Sequence, residues 1–278
     1  MTGIIDVGGG LRGAFGTGIF DRCLEENINF EYLIGVSAGA ANIASYLGGQ
    51  KGRNLTFYTE YSLRPEYMSF SNLLHNGSYL DLSYVYGVLS NSDGEDPLNY
   101  EKMAKFKGSF LTVATDALTG KAIYFTKDAY RPDDYRVLMA SCCLPVACRP
   151  VIMNGVPCFD GGVADPVPVR KALSDGCDKI ILILTRPVDE IRVPGVDKRA
   201  AAFLRRKYPA AAVALESRYQ RYNVGVEIAR FLEKEGRALI LSPDNCDGLK
   251  TLTKDTEKIT NLYKNGYKKA EKLLEFIR

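Results

Sequence analysis

The sequence predicts an α/β fold built on a mainly parallel central sheet, and three features lead to this prediction. Short apolar runs typical of strands alternate with segments whose apolar residues recur at helical spacing. Glycine-rich turns join a strand to a helix twice within residues 4–47. Residues 179–185 are too continuously apolar for an exposed strand, which predicts a strand near the middle of the sheet.

The first two strand–turn–helix units follow each other directly. Residues 4–7 are an apolar run ending in the glycines of 8–13, and residues 15–24 carry apolar side chains close to helical spacing. The second unit has an apolar strand at 32–36 and a small, apolar helix at 40–47. Two such units in succession predict parallel strands joined by crossover helices.

Weaker patterns occupy the middle of the chain. Residues 50–100 are rich in Tyr, Ser and Asn with little periodicity, which predicts helices and loops over one end of the sheet. Two strands are predicted at 111–115 and 122–125, on either side of a glycine-containing turn.

A short helix and a hairpin come next. Residues 133–141 predict a helix whose first amides are capped by Asp133 and Asp134. A hairpin over 151–159 is predicted to turn at Asn154-Gly155, because both residues tolerate positive φ.

The last part of the chain is predicted to be mostly helical from residue 197, with a final strand at 238–241. No internal repeat or convincing domain boundary is visible. We therefore expect one domain over residues 1–278, with a catalytic core at 4–185 and a mostly helical part, 186–278, packed on it.

Composition narrows the functional classes. The 278 residues are 46% hydrophobic and 25% charged, which is ordinary for a soluble globular protein. No segment approaches the ~18 to 20 unbroken apolar residues of a membrane span, and residues 1–6 do not resemble a signal peptide. We expect a cytoplasmic protein with reduced cysteines. The net charge of +3 and the scattered basic residues argue against nucleic-acid binding, and the single histidine excludes His-rich metal sites.

The turn at 35–39 reads GVSAG and matches the G-x-S-x-G pattern that lifts a serine hydroxyl clear of the backbone. Gly35 and Gly39 leave room for so sharp a turn, and the amide of Ala38 could stabilise negative charge beside Ser37. The alternative is an ordinary βα turn in which the serine only caps the helix.

A serine nucleophile needs a base, and His75 is poorly placed to be one. It falls between Ser37 and the plausible catalytic acid, whereas the histidine of α/β-hydrolases follows both, and it lies in a polar stretch where a solvated loop histidine is expected. Asp160, followed by Gly161 and Gly162 at the exit of the hairpin, is the better candidate. The alternative is an Asp-Gly-Gly turn without a catalytic role.

The loop DVGGGLRG at 6–13 admits two interpretations. Its glycines fit the G-x-G-x-x-G spacing of a dinucleotide-binding loop, and the same loop could supply backbone donors to an oxyanion. A dinucleotide site requires an acidic residue at the end of the second strand, about 20 residues beyond the glycines. Ser37 occupies that position, so dinucleotide binding is a remote alternative.

Taken in order, these motifs resemble the signature of the patatin-like phospholipases. The stretches VATDALTG at 113–120 and MASCCLPVACRPV at 139–151 also match, so the resemblance covers residues 4–185. The Asp-Gly-Gly turn replaces the Asp-Gly-Ala of other members. The segments that carry the resemblance are the glycine loop at 8–13, the GVSAG turn at 35–39 and the Asp-Gly-Gly turn at 160–162.

The resemblance implies a three-layer αβα sandwich and a lipid acyl hydrolase of the phospholipase A or esterase type. Ser37 would be the nucleophile and Asp160 the proton acceptor, with an acyl-enzyme intermediate and without a catalytic histidine, a cofactor or a metal ion. The residues expected to bind the oxyanion or the substrate are Gly8, Gly9, Gly10, Arg12, Gly13 and Ala38.

Three questions stay open at this point. A non-hydrolytic lipid-binding protein or an acyltransferase would keep the same motifs. The basic segment 198–208, KRAAAFLRRKY, is a candidate for peripheral contact with anionic membrane lipids, although a solvated helix face is the simpler interpretation. The sequence specifies neither the oligomeric state nor the head group and acyl length of the substrate.

Overall fold

The computed structural model describes residues 1–277 and contains an eight-stranded sheet covered by helices on both faces. Its strands are β1 (Thr2–Asp6), β2 (Tyr32–Val36), β3 (Ser109–Asp116), β4 (Ala122–Thr126), β5 (Val151–Met153), β6 (Val156–Asp160), β7 (Lys179–Ile183) and β8 (Ala238–Leu241). Its helices are α1 (Ala14–Glu25), α2 (Ala38–Leu47), α3 (Arg53–Thr59), α4 (Phe70–Asn76), α5 (Tyr100–Ala104), α6 (Arg136–Cys142), α7 (Val169–Ser174), α8 (Val196–Leu204), α9 (Pro209–Glu216), α10 (Arg218–Lys234) and α11 (Thr256–Ile277).

The strand order is β5-β6-β3-β2-β1-β7-β8, with β4 paired to β3 outside this path. The pairs among β3, β2, β1, β7 and β8 are parallel, whereas β4, β5 and β6 pair antiparallel. The prediction of a mainly parallel sheet is therefore confirmed. β7 lies between β1 and β8 with most of its side chains buried, as its continuous apolar sequence indicated.

Helices cover the two faces of the sheet because successive strand residues point to opposite sides. Ile4 and Leu33 belong to one buried cluster, with side chains from α1, α2, α6 and α11. Ile5 and Ile34 belong to the other, with side chains from α7 and α10. The result is three layers, with hydrophobic burial on both sides of the sheet.

Helices α1 and α11 approach each other closely because glycines lie at their contact. A Cβ added at Gly18 would lie 2.1 Å from the carbonyl oxygen of Tyr263. A Cβ added at Gly266 would lie 2.0 Å from that of Phe15. The backbones can be this close only without these side chains, so both glycines are required for the packing of the C-terminal helix.

The prediction that Asp133 caps a helix is wrong. Asp133 has a φ of 56°, and its carboxylate accepts hydrogen bonds from the amide (2.6 Å) and the hydroxyl (2.8 Å) of Ser92. The helix begins later, at Arg136, and Asp134 Oδ1 accepts its amide at 3.3 Å. The left-handed backbone turns Asp133 away from the helix toward a distant loop, which local sequence cannot show.

Candidate active site

Ser37 occupies a sharp turn between β2 and α2. Its φ and ψ are 56° and −131°, an unusual conformation for a residue with a side chain. A Cβ at Gly35 would lie 2.3 Å from Ala40 Cα, and one at Gly39 would lie 2.2 Å from Asp6 O. The two flanking glycines therefore allow the strand, the turn and the helix to come together.

A buried serine from α6 holds this turn. The amide of Ser37 donates to Ser141 Oγ at 2.8 Å, and Ser141 Oγ donates to the carbonyl oxygen of Val113 at 2.7 Å. Ser141 is fully buried, so both hydrogen bonds are shielded from water. The strained backbone of Ser37 is thereby fixed from outside its own motif.

Strand β3 brings Ser37 and Asp160 to the same place. Val36, which precedes Ser37, is registered opposite Val113 of β3. Asp160, the last residue of β6, is registered opposite Ala114, the next residue of β3. The end of β2 and the end of β6 therefore flank β3 at the same level, although they are far apart in sequence.

Burial dominates the electrostatics of Asp160, whose side chain is 3% exposed. Its Oδ1 accepts the Gly162 amide at 2.8 Å, whereas its buried Oδ2 has no hydrogen-bond partner among the described residues. Burial raises the pKa of Asp160, and the side chain of Ser37, the Gly162 amide and Arg218 oppose this rise. Ser37 therefore lies close enough to affect the carboxylate, although the resting geometry lacks a regular hydrogen bond from its Oγ.

The glycine loop passes directly beside the Ser37 turn. Gly8, Gly9 and Gly10 have φ values of 63°, 131° and 62°, which favour glycine. A Cβ at Gly8 would lie 2.2 Å from Val36 O and 2.9 Å from the amide nitrogen of Ala38. The loops after β1 and β2 converge, as expected for neighbouring parallel strands.

The backbone amides at this junction differ in availability. The amide of Gly8 donates to Asp6 Oδ1 at 2.9 Å. The amides of Gly9, Gly10 and Ala38 have no acceptor within residues 1–277. Three donors therefore remain for a ligand oxygen near Ser37.

Asp6 is a structural residue of the site that the sequence analysis overlooked. Its side chain is fully buried, and Oδ2 accepts a hydrogen bond from Asn42 at 2.9 Å. Burial raises the pKa of Asp6 to about 6, opposed by its bonds with Asn42 and Gly8. The only sequence signal was a carboxylate ending an apolar strand.

The remaining two residues of the loop have different surroundings. Arg12 is 4% exposed and reaches Thr251 Oγ1 at 3.4 Å. The carbonyl oxygen of Gly13 accepts a hydrogen bond from Asn42 at 2.9 Å, and a Cβ at Gly13 would lie 2.4 Å from Tyr58 Oη. Gly13 therefore serves close packing beneath the loop.

Ser37 lies where two cavities meet. The first, which we call the apolar cavity, is lined mainly by aromatic and aliphatic side chains. The second, which we call the arginine cavity, is lined by Ser37, Asp160, the glycine loop and four arginines. Side chains of the apolar cavity include Phe57, Tyr58, Tyr67, Leu80, Val85 and Tyr86.

Most of these cavity residues lie outside the motifs. The apolar side chains come largely from residues 50–100, whose weak periodicity had predicted only helices and loops. The arginines Arg186, Arg192 and Arg218 come from the C-terminal part of the chain, and only Arg12 belongs to a motif. Scattered single arginines give no sequence signal, because the fold alone brings them together.

His75 lies away from Ser37, whereas segment 198–208 borders the arginine cavity through Ala200. His75 is on exposed α4, with Nδ1 2.9 Å from Ser71 O, and it lines neither cavity. In segment 198–208, Leu204 is buried and Phe203 is 76% exposed. Within residues 1–277 there is no group of three or more potential ligands that could hold a metal, and no helix has the length and apolar character of a membrane span.

Comparisons with known proteins agree with the motifs. The sequence model of the family described as patatin-like phospholipase matches residues 7–173, and a domain of unknown function (DUF6363) matches residues 208–278. The uncharacterized protein YjjU of Escherichia coli (strain K12) is 27% identical over 212 residues, which are 71% of this chain and 55% of that protein. This chain thus spans about half the length of that curated relative.

A solved structure resembles the whole chain. The crystal structure of VipD from Legionella pneumophila superimposes with a TM-score of 0.51 at 14% identity, covering 99% of this chain and 66% of VipD. At this identity the likeness is one of fold. It supports a central sheet flanked by helices as the architecture.

Proposed function

Because this chain belongs to the patatin-like phospholipase family, we propose that it hydrolyses carboxylic esters of lipids through an acyl-enzyme on Ser37. The observation that carries the proposal is the place of Ser37. It stands on a strained turn between an apolar and an arginine-lined cavity, beside a buried carboxylate oxygen that has no hydrogen-bond partner among residues 1–277. A helix cap would need neither the strain nor the neighbouring carboxylate.

In the proposed first step, Asp160 Oδ2 accepts the proton of Ser37 as Oγ attacks the ester carbonyl. The carbonyl oxygen becomes an oxyanion that accepts hydrogen bonds from the amides of Gly9, Gly10 and Ala38. When the tetrahedral intermediate collapses, the alcohol leaves with the proton held by Asp160. The acyl group then remains as an ester of Ser37.

In the second step, Asp160 accepts a proton from water, and the water oxygen attacks the acyl carbonyl. Collapse of this intermediate returns the proton to Ser37 Oγ and releases the fatty acid. The raised pKa of Asp160 suits both steps, because an ordinary aspartate is a weak base toward an alcohol.

The apolar cavity is the proposed site of the acyl chain. Ser37 is one of its lining residues, and its aromatic and aliphatic side chains would transfer the acyl chain out of water. The alcohol part of the ester would then lie on the other side of Ser37, in the arginine cavity.

The test is a pair of variants assayed on a short-chain ester. Ser37→Ala and Asp160→Asn should each lower kcat by at least ~1000-fold while the fold is retained by circular dichroism. A fluorophosphonate should label the native protein and fail to label Ser37→Ala. Full activity of Asp160→Asn would exclude the proposed dyad.

The same experiment separates the alternatives. A lipid-binding protein would bind lipid without labelling by the fluorophosphonate. An acyltransferase would label and would form a new ester when an acceptor alcohol is added. A dinucleotide-binding protein would show neither behaviour.

We also propose that the protein contacts lipid surfaces peripherally, through α4. None of its residues is buried, and Phe70 and Leu74 are 75% and 84% exposed. Tyr67 and Leu80, on either side of α4, line the apolar cavity, so the helix lies beside the proposed path of an acyl chain.

Liposome co-sedimentation tests this contact. Phe70→Ser with Leu74→Ser should reduce the bound fraction several-fold, whereas Phe231→Ser, on α10 and also exposed, should not. If binding instead falls when alanine replaces Arg205, Arg206 and Lys207, the basic segment 198–208 is the contact.

A further inference from the structure

The arginine cavity holds a buried guanidinium with unused donors. Arg12 is 4% exposed, and its Nε and Nη1 have no hydrogen-bond partner among the described residues. Its Nη2 reaches only Thr251 Oγ1, at 3.4 Å. Burial, reinforced by the charge of Arg186, lowers the pKa of Arg12 to about 10. A cation buried in this way is stabilised by an anion.

Arg192 is a second cation without an acidic partner within residues 1–277. Its guanidinium lies over the ring of Tyr222, with 4.9 Å between Cζ and the ring centroid. Burial, then the charges of Arg218 and Arg186, lowers the pKa of Arg192 to about 10. Its backbone exchanges two 2.9 Å hydrogen bonds with Asn223 of α10, which fixes its place.

The other two arginines of this cavity already have counter-ions. Arg218 binds Asp197 through two hydrogen bonds of 2.8 and 2.6 Å, and Arg186 pairs with Glu190. The unpaired positive charge therefore belongs to Arg12 and Arg192. Both arginines line the same cavity as Ser37 and Asp160, and neither lines the apolar cavity.

We propose that Arg12 and Arg192 form an anion subsite for a phosphate on the alcohol part of the ester. Guanidinium groups suit this ligand because their planar donors match phosphate oxygens in pairs. The favoured substrates are then acyl esters whose head group carries phosphate and no cation, since a quaternary ammonium would meet the surplus of positive charge. This inference rests on the proposed function, which places the alcohol part in the arginine cavity.

The test compares Arg192→Gln with Arg170→Gln, which removes the same charge from an exposed position outside the cavity. The substrates are dihexanoyl phosphatidic acid and dihexanoyl phosphatidylcholine, which share their acyl chains. We expect the native protein to favour the phosphatidic acid in kcat/KM. Arg192→Gln should lower this preference roughly tenfold, and Arg170→Gln should leave it unchanged.

A binding measurement separates the failure of this inference from that of the proposed function. Calorimetric titration with inorganic phosphate and with glycerol 3-phosphate should show weaker binding of both to Arg192→Gln than to the native protein. If the native protein binds glycerol 3-phosphate more tightly than inorganic phosphate, the site is one for a head group. If it binds inorganic phosphate more tightly and shows no preference for phosphatidic acid, the proposal is overturned. If the esters are not hydrolysed but phosphate binding depends on Arg192, the proposed function fails and the anion subsite stands. If hydrolysis occurs with a preference and a phosphate affinity that Arg192→Gln does not change, the subsite is excluded.

Discussion

Ser37 shows how a single residue depends on partners outside its motif. A side chain at a φ of 56° costs on the order of 1–3 kcal/mol, so the surrounding structure must hold it there. Gly35 and Gly39 make the turn sterically possible, and Ser141 fixes its amide from α6. The strained conformation directs the hydroxyl toward the cavities.

Ser141→Ala should lower kcat about tenfold with little change in KM, because the turn loses the hydrogen bond that holds the Ser37 amide. Ser62→Ala is the matched control, since Ser62 is also fully buried and donates to a backbone carbonyl, Tyr58 O, at 2.8 Å. Steady-state kinetics of both variants test whether the loss of kcat is specific to Ser141→Ala. An equal loss in the two variants would point to general destabilisation.

The raised pKa of Asp160 predicts how the rate depends on pH. In the proposed mechanism Asp160 must be ionised to accept the Ser37 proton, so kcat should fall as the pH drops through the pKa of Asp160. The fall should begin above the ~3.9 of an ordinary aspartate, because burial disfavours the carboxylate. A pH–rate profile of His75→Gln should match that of the native protein, and a shifted profile would assign a role to the histidine.

At the scale of secondary-structure elements, β3 and the helix pair α1–α11 have different structural roles. β3 pairs with β2 on one side and with β6 on the other, which sets Val36 and Asp160 opposite its consecutive residues Val113 and Ala114. The pair α1–α11 packs through glycines and ties the C-terminal helix to the helix that follows the glycine loop.

Gly266→Ala should reduce the free energy of unfolding by about 1–3 kcal/mol, because the new methyl group meets the Phe15 carbonyl and forces the helices apart. Gly87→Ala is the control, since its added Cβ would meet only the end of the Met139 side chain, at 3.8 Å. Chemical denaturation of both variants measures the difference. A Gly266→Ala protein as stable as the Gly87→Ala protein would contradict the close approach.

At the scale of the whole molecule, the loops of the candidate active site lie over a buried carboxyl group. Asp6 has no contact with solvent, and its pKa in the folded state is about 6. A carboxyl group whose pKa is raised by folding adds stability at low pH, and this contribution is lost as the pH rises through the folded pKa. Because Asp6 supports the glycine loop, its ionisation makes the free energy of unfolding depend on pH.

Comparison with Asp6→Asn isolates this contribution. The native protein should lose about 2–3 kcal/mol of unfolding free energy relative to the variant between pH 4 and pH 7, because only the native protein has a carboxyl group to ionise at this site. Urea denaturation at several pH values provides the measurement. A difference between the two proteins that stays constant with pH would show that Asp6 is not buried as described.

Much of the fold could be predicted from local patterns. Apolar runs and glycine turns predicted the strands from β1 to β8, because side-chain periodicity and turn chemistry act over a few residues. Residues 50–100 gave little signal, since their side chains face a cavity in an irregular arrangement of short helices. The capping prediction for Asp133 failed because a tertiary contact with Ser92 competes with the local one.

The sequence by itself determined the order of the motifs, the turn that carries Ser37, and the absence of a well-placed histidine. Only the tertiary structure decided that Ser141 accepts a hydrogen bond from the Ser37 amide and that Asp6 accepts one from the Gly8 amide. It also decided that Arg12 and Arg192 line the same cavity. The physical reason is the sequence separation over which the interactions act. Turns and strands follow from neighbours along the chain, whereas burial, pKa and unpaired charge depend on residues that meet only when the sheet forms.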